Sequence, residues 1–191
     1  IAYMTSGHEW NWTAEAGTLT VEDFPAPTCA ICHMSGFGAT GTTHDVGERL
    51  TWYLFAPVSE RRPGWENNAV RMQSVCLECH NARFVSDFYA AADAATEAVN
   101  DWVLESQAMI EPLLANNLMT SEPFDEPIDF TYFELWHHWG RTAKFGVWMQ
   151  GPDYTQWHGA YEVLADLAEL KEMVNAKLQE AGIEPQAEAG Q

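Results

Sequence analysis

The chain has 191 residues, with 28 Asp and Glu against 9 Lys and Arg, a formal charge of −19. So acidic a balance argues against nucleic acid and anionic membranes, whose phosphates need a basic face, while 47% hydrophobic and 13% aromatic residues argue against disorder. The length suits one domain, or one compact unit with a helical extension, and no apolar run reaches the roughly 18–20 residues that span a bilayer.

The chain starts Ile1-Ala2-Tyr3, with neither an initiator Met nor a signal peptide, so a mature, processed or truncated form is expected. Residues 1–66 are rich in Gly, Thr, Pro and Trp and carry no sustained period, which predicts loops and short helices. Within them lies Cys29-Ala30-Ile31-Cys32-His33, the first of two copies of one pattern; the second is Cys76-Leu77-Glu78-Cys79-His80, and together they use all four cysteines. C-x-x-C-H is the attachment signature of c-type haem. The two thiols add to the two vinyl groups of one porphyrin, and the adjacent His comes under the ring as the proximal iron ligand. A two-residue spacer lets both sulfurs reach their vinyls from one short helical turn.

Other readings of paired cysteines are weaker. A zinc ribbon sets its pairs about 15–20 residues apart and needs no His after each, whereas 43 residues separate Cys32 from Cys76. A thioredoxin-like dithiol needs a βαβ context, and structural disulfides across C-x-x-C are uncommon. Two covalently attached haems c are therefore expected, held by Cys29, Cys32, Cys76 and Cys79, with His33 and His80 on the irons. The porphyrins would supply much of the core of the first 66 residues, and four propionates would deepen the acidity. Thioether formation of this kind points to an exported protein, periplasmic or extracellular.

Each iron keeps a sixth position, and its occupant decides between electron transfer and substrate chemistry. The remaining histidines are His8, His44, His137, His138 and His158, enough to favour bis-His over His–Met ligation. His44 follows a Gly/Thr-rich loop, Gly36 to Thr43, that could fold back over a ring. His8 lies in Ser6-Gly7-His8-Glu9-Trp10, a loop donor near the N-terminus. These two are the candidate distal ligands, and a distal ligand could equally serve a haem on another chain.

Farther along, Asp45-Val46-Gly47-Glu48 resembles a capping box opening a short helix that Pro57 ends. Asn67 to Asn81 reads as a helix delivering the second motif near its C-terminal end. Phe88, Ala92, Ala95, Val99, Trp102, Ser106, Met109 and Leu113 then follow spacings of four and three, the seam of a long amphipathic helix that Pro112 could kink. Thr120 to Pro127 reads as a loop, Asp129 to Gln150 as a second helix stopped by Gly151-Pro152, and Asp153 to Ala181 as a third, with Leu164, Leu167, Leu170, Val174 and Leu178 on one face. The tail from Gly182 is polar, and no strand pattern is visible. The fold class is mainly α, divided into a dihaem-binding region (1–82) and a long-helix region with a polar tail (83–191). Helices this long need partners, in a bundle or in another subunit.

Taken together, Ala26-Pro27-Thr28-Cys29-Ala30-Ile31-Cys32-His33-Met34-Ser35 and Thr43-His44-Asp45-Val46-Gly47-Glu48-Arg49-Leu50 resemble the C-terminal haem region of the octahaem hydroxylamine oxidoreductases. Val75-Cys76-Leu77-Glu78-Cys79-His80 and Gly151-Pro152-Asp153-Tyr154-Thr155-Gln156-Trp157-His158-Gly159 fit the same region. The resemblance implies a mainly helical multihaem cytochrome whose long C-terminal helices build a homotrimer. It implies oxidation of hydroxylamine or hydrazine, or reduction of nitrogen oxides, at one modified haem, while bis-His haems carry electrons away. In oxidative members a tyrosine of the neighbouring subunit is joined to the catalytic haem; Tyr161 is the candidate here and Tyr154 the runner-up. Such proteins carry eight haem motifs and this chain two, which match the last two, so the motif of the catalytic haem is absent. The implied role is the dihaem electron-transfer part of such a complex, with other multihaem cytochrome chains as partners. The alternative is a free-standing dihaem cytochrome that shuttles electrons or forms a haem wire, and a weaker one is an enzyme in which one haem lacks a distal ligand.

Overall fold

Apolar residues recurring every three or four positions fold most of this chain into helix, and the computed structural model describes residues 28–38 and 40–184. In chain order these form α1 (Cys29–His33), a 3-10 turn (Val46–Arg49), β1 (Trp52–Tyr53), β2 (Glu60–Arg61), α2 (Trp65–Cys76) and α3 (Ala82–Ala115). Then follow α4 (Pro127–Phe133), a π-helical stretch (Glu134–Gly140), α5 (Arg141–Trp148), α6 (Pro152–Thr155), a second π-helical stretch (Gln156–Ala160) and α7 (Tyr161–Glu180). The fold is mainly α, with long helices in the C-terminal part. No described helix is long and apolar enough to cross a membrane.

The front end departs from the expectation in three places. The turn opened by Asp45, whose carboxylate accepts the Gly47 N–H at 2.8 Å, ends at Leu50 rather than running to Pro57. Beyond it the backbone is extended, because Trp52 pairs with Arg61 and Tyr53 with Glu60 in an antiparallel ribbon. Two residues per strand are too few to write an alternating pattern, which is why no strand is legible in the sequence. The ribbon is pinned by side chains. The Arg61 guanidinium lies 4.1 Å from the Trp52 ring and 4.2 Å from the Trp65 ring, and pairs with Asp93 of α3 at 2.8 Å. Trp52 Nε1 donates to the same carboxylate at 2.9 Å.

The helix expected over Asn67–Asn81 starts earlier and stops at Cys76. Asn81 instead caps the next helix, accepting the Phe84 N–H at 2.9 Å. From there α3 runs 34 residues and continues past Pro112 to Ala115. Its predicted seam is partly shifted: Ala92, Val99, Ser106 and Leu113 are buried, but Thr96, Val103 and Ile110 share the buried stripe, while Phe88, Ala95, Trp102 and Met109 flank it half-buried. The hydroxyls within that stripe are satisfied locally, Thr96 donating to the Ala92 carbonyl at 2.8 Å and Ser106 to Val103 at 2.6 Å.

Two apolar clusters hold the long helices together. One joins Ile110 and Leu113 of α3, Ile128 of α4, and Leu170, Val174 and Leu178 of α7. The other joins Val103, Leu135, Val163 and Leu167, with Trp102, Trp136 and Trp139 packed against it. Each fully buried aliphatic side chain contributes about 1.5–3 kcal/mol. Leu164, expected on the apolar face of α7, is 45% exposed, and Val163 takes the buried place. The face therefore runs Val163, Leu167, Leu170, Val174, Leu178. The first C-terminal run is continuous as expected and carries His137 and His138 in a widened turn, whereas the helix expected over Asp153–Ala181 is broken by a kink at His158, whose backbone is non-helical (φ −98°, ψ 22°).

Candidate functional site

The two C-x-x-C-H segments both form a helical turn. In the first, the Ile31 and Cys32 amides donate to the Thr28 carbonyl at 3.0 and 3.3 Å, so Cys29 and Cys32, three residues apart, share one face. In the second, Cys76 closes α2, and the Cys79 and His80 amides both return to its carbonyl, at 3.2 and 2.9 Å. All four thiols are free, and no group of three or more His, Cys, Asp or Glu among the described residues is arranged to hold a metal ion.

The two turns lie side by side. The loop after the first motif comes so close to the last turn of α2 that a Cβ on Gly38, at φ +69°, would sit 2.8 Å from the Ser74 carbonyl oxygen. Burial pushes the Cys32 thiol up, and the neighbouring Cys76, Cys29 and Cys79 add to this while Arg49 opposes it. Burial likewise raises Cys76. Burial, then the nearby Arg49, lowers His33, which favours the neutral imidazole, the form that binds a metal. His80 stacks on Phe84 at 4.4 Å. Apolar side chains stand exposed beside both motifs, Phe37 after the first and Leu77 and Phe84 around the second. Paired thiols on one turn, a neutral histidine next to them and uncovered apolar flanks fit a covalently held porphyrin.

Arg49 was not singled out from the sequence. It is 2% exposed. Its guanidinium donates to the carbonyls of Cys32 (2.6 Å), Ile31 (3.4 Å), Gly41 (3.0 Å) and Ser35, and to the Thr40 hydroxyl (2.8 Å). One side chain thus ties the first motif to the loop that follows it. That loop does fold back: the Thr43 N–H donates to the Met34 carbonyl at 2.9 Å, and His44, exposed, is the next residue along. His8 lies outside the described residues.

The C-terminal candidates sit elsewhere. His137, His138, Arg141, Thr142, Phe145 and Tyr154 line an open cleft of about 350 Å³. His137 stacks on Phe133 at 4.3 Å, and its Nε2 faces Arg141 Nη1 at 2.8 Å. His158 is 3.5 Å from the Asp153 carboxylate. The two tyrosines are separated: Tyr154 lines the cleft, whereas Tyr161 is 58% exposed, its ring 5.9 Å from that of Trp157. Trp157, Tyr161 and Leu164 form an exposed ridge at helical spacing.

A family model described as "Seven times multi-haem cytochrome CxxCH" matches residues 1–127. Among solved structures, one described as a hypothetical multiheme protein aligns with a TM-score of 0.71 at 20% identity, over 85% of this chain and 47% of that one. A chain of the Kuenenia stuttgartiensis reducing HAO-like protein complex aligns with a TM-score of 0.73 at 14% identity, over 95% of this chain and 53% of that one. These two share the fold with this chain, which spans about half the length of each.

Proposed function

The chain belongs to the seven-times multi-haem cytochrome CxxCH family, and from that premise we propose that it carries two haems c and uses them to relay electrons. The observation that carries this reading is the pair of C-x-x-C-H turns, with free thiols, set side by side where α1 meets α2. Cys29 and Cys32 would hold one porphyrin and Cys76 and Cys79 the other. His33 and His80 would bind the irons from one side, with His44 and His8 as sixth ligands. Bound there, each haem supplies a one-electron ferric/ferrous couple. The protein's part is to fix the rings, exclude water with the neighbouring apolar side chains, and keep His33 unprotonated.

More specifically, we propose the electron-transfer part of a hydroxylamine-oxidoreductase-like complex of exported multihaem chains, acting on nitrogen compounds. The resemblance of the His44 and Trp157-His158-Gly159 segments supports this, as does the shared fold with a chain of a reducing HAO-like complex. The exposed Trp157–Tyr161–Leu164 ridge suits contact with a neighbouring chain of such a complex, a homotrimer by the resemblance, with Tyr161 offered to a catalytic haem held by another multihaem chain of the complex. A free-standing dihaem shuttle is the second reading, favoured by the presence of only two motifs in the chain.

The test is an intact mass of the protein, isolated with whatever it binds, together with a haem count per chain. Two covalent haems, with co-purification of a chain rich in haem motifs, are expected. A haem-loaded monomer leaves only the shuttle, and a chain without covalent haem overturns both. In the loaded protein His44→Ala should turn one haem high-spin; an unchanged spectrum removes His44 as a ligand.

A further inference from the structure

Arg49 is an almost fully enclosed cation with no carboxylate against it among the described residues. Four other cations are paired with carboxylates, Arg61 with Asp93, Arg71 with Glu48, Arg83 with Asp87 and Lys177 with Glu126, whereas the enclosed Lys144 donates to the Pro57 carbonyl, far from either haem motif. Arg49 spends its donors on neutral oxygens instead. Three belong to the first C-x-x-C-H segment and its exit, the carbonyls of Ile31, Cys32 and Ser35. Two belong to the returning loop, the Thr40 hydroxyl and the Gly41 carbonyl. Two consequences follow. The planar guanidinium, with five donors in a fixed fork, sets where the first motif stands relative to the loop that leads to His44; the three donors of a lysine radiate from one atom and cannot span those acceptors. Its charge also meets no carboxylate of the described residues at the motif.

Reduction of a haem adds one electron to the ferric iron, breaks no bond and makes the site more negative by one. A fixed positive charge in a partly dry environment favours the reduced state, and it does so more strongly than a solvated one. We propose that Arg49 is a positioning residue for the first haem motif and that its charge, paired with no carboxylate of the described residues, raises the reduction potential of the haem carried by Cys29 and Cys32. This rests on the reading that the motif holds haem.

The experiment is a spectroelectrochemical titration of the full, haem-loaded protein with dithionite as reductant, comparing wild type with Arg49→Gln and Arg49→Lys. In Arg49→Gln one haem should become harder to reduce by about tenfold, close to 59 mV for a one-electron couple, while the second stays put. Arg49→Lys keeps the charge, so it should restore most of the potential while still lowering the melting temperature. Arg49→Gln carrying both haems with unshifted potentials overturns the proposal. So does Arg49→Lys displacing the potential as far as Arg49→Gln, since geometry rather than charge would then be the cause. If Arg49→Gln fails to load the first haem, Arg49→His replaces it: the midpoint should gain a step as the imidazole titrates, and the absence of an added step overturns the charge argument. A wild-type chain without covalent haem sinks the haem reading itself, a result distinct from all of these.

Discussion

Asn100 shows how single residues fix the haem-motif end of the molecule to the long helices. Its amide sits buried on α3 and serves both backbone groups of one residue in the β1–β2 connection. The Ser59 N–H donates to Asn100 Oδ1 at 2.7 Å, and Asn100 Nδ2 donates to the Ser59 carbonyl at 2.9 Å. Asn100→Ala strands two buried backbone groups, so it should cost about 1–3 kcal/mol. Urea denaturation of the folded protein checks this, and a change within about 0.5 kcal/mol would mean that water takes the place of the amide. The C-x-x-C-H turns were legible from the sequence because the whole pattern lies within five consecutive residues. Arg49 was not, because its acceptors lie 8 to 18 positions away and none is a charged partner that would announce it.

At the scale of elements, helix register was largely readable and its interruptions were not. A π-helical turn inserts one residue without disturbing the apolar spacing on either side. The kink at His158 within Gln156–Ala160 left no mark in the apolar pattern, and on α7 the spacings of three and four to Leu167 admit Leu164 and Val163 alike, of which Val163 turns inward. The pairing of α7 with the first π-helical stretch has a measurable acid–base signature. Burial pushes the Asp166 carboxyl from 3.8 up to about 6, with Glu134, Glu169 and Glu162 adding to the shift, and its Oδ2 has no hydrogen-bond partner among the described residues. The folded protein therefore holds this proton to about pH 6, whereas the unfolded chain releases it near 3.8. More protons are bound folded than unfolded in that window, so this group's contribution to stability falls as pH rises through it. Asp166→Asn should flatten the decline and stabilise the protein at pH 7. Melting curves between pH 4 and pH 7 that are parallel for variant and wild type would refute it.

For the whole molecule the formal charge of −19 becomes a mechanical load. At low ionic strength the like charges act across roughly 30 Å; at physiological salt the reach falls to about 8 Å. The melting temperature at pH 7 should therefore rise with added salt, as calorimetry would show. A fall would mean that ion pairs such as Arg61–Asp93 outweigh the general repulsion.

α3 begins two residues after His80, capped by Asn81, and its 34 residues make a rod about 50 Å long. Its far end is clamped between α4 and α7 by Ile110 and Leu113. The rod is also held nearer its start, by Asp93 on Arg61 and Trp52 and by Asn100 on Ser59. The second C-x-x-C-H turn is thus the short overhang of a beam supported at both ends, and loosening the far clamp alone should leave that turn in place.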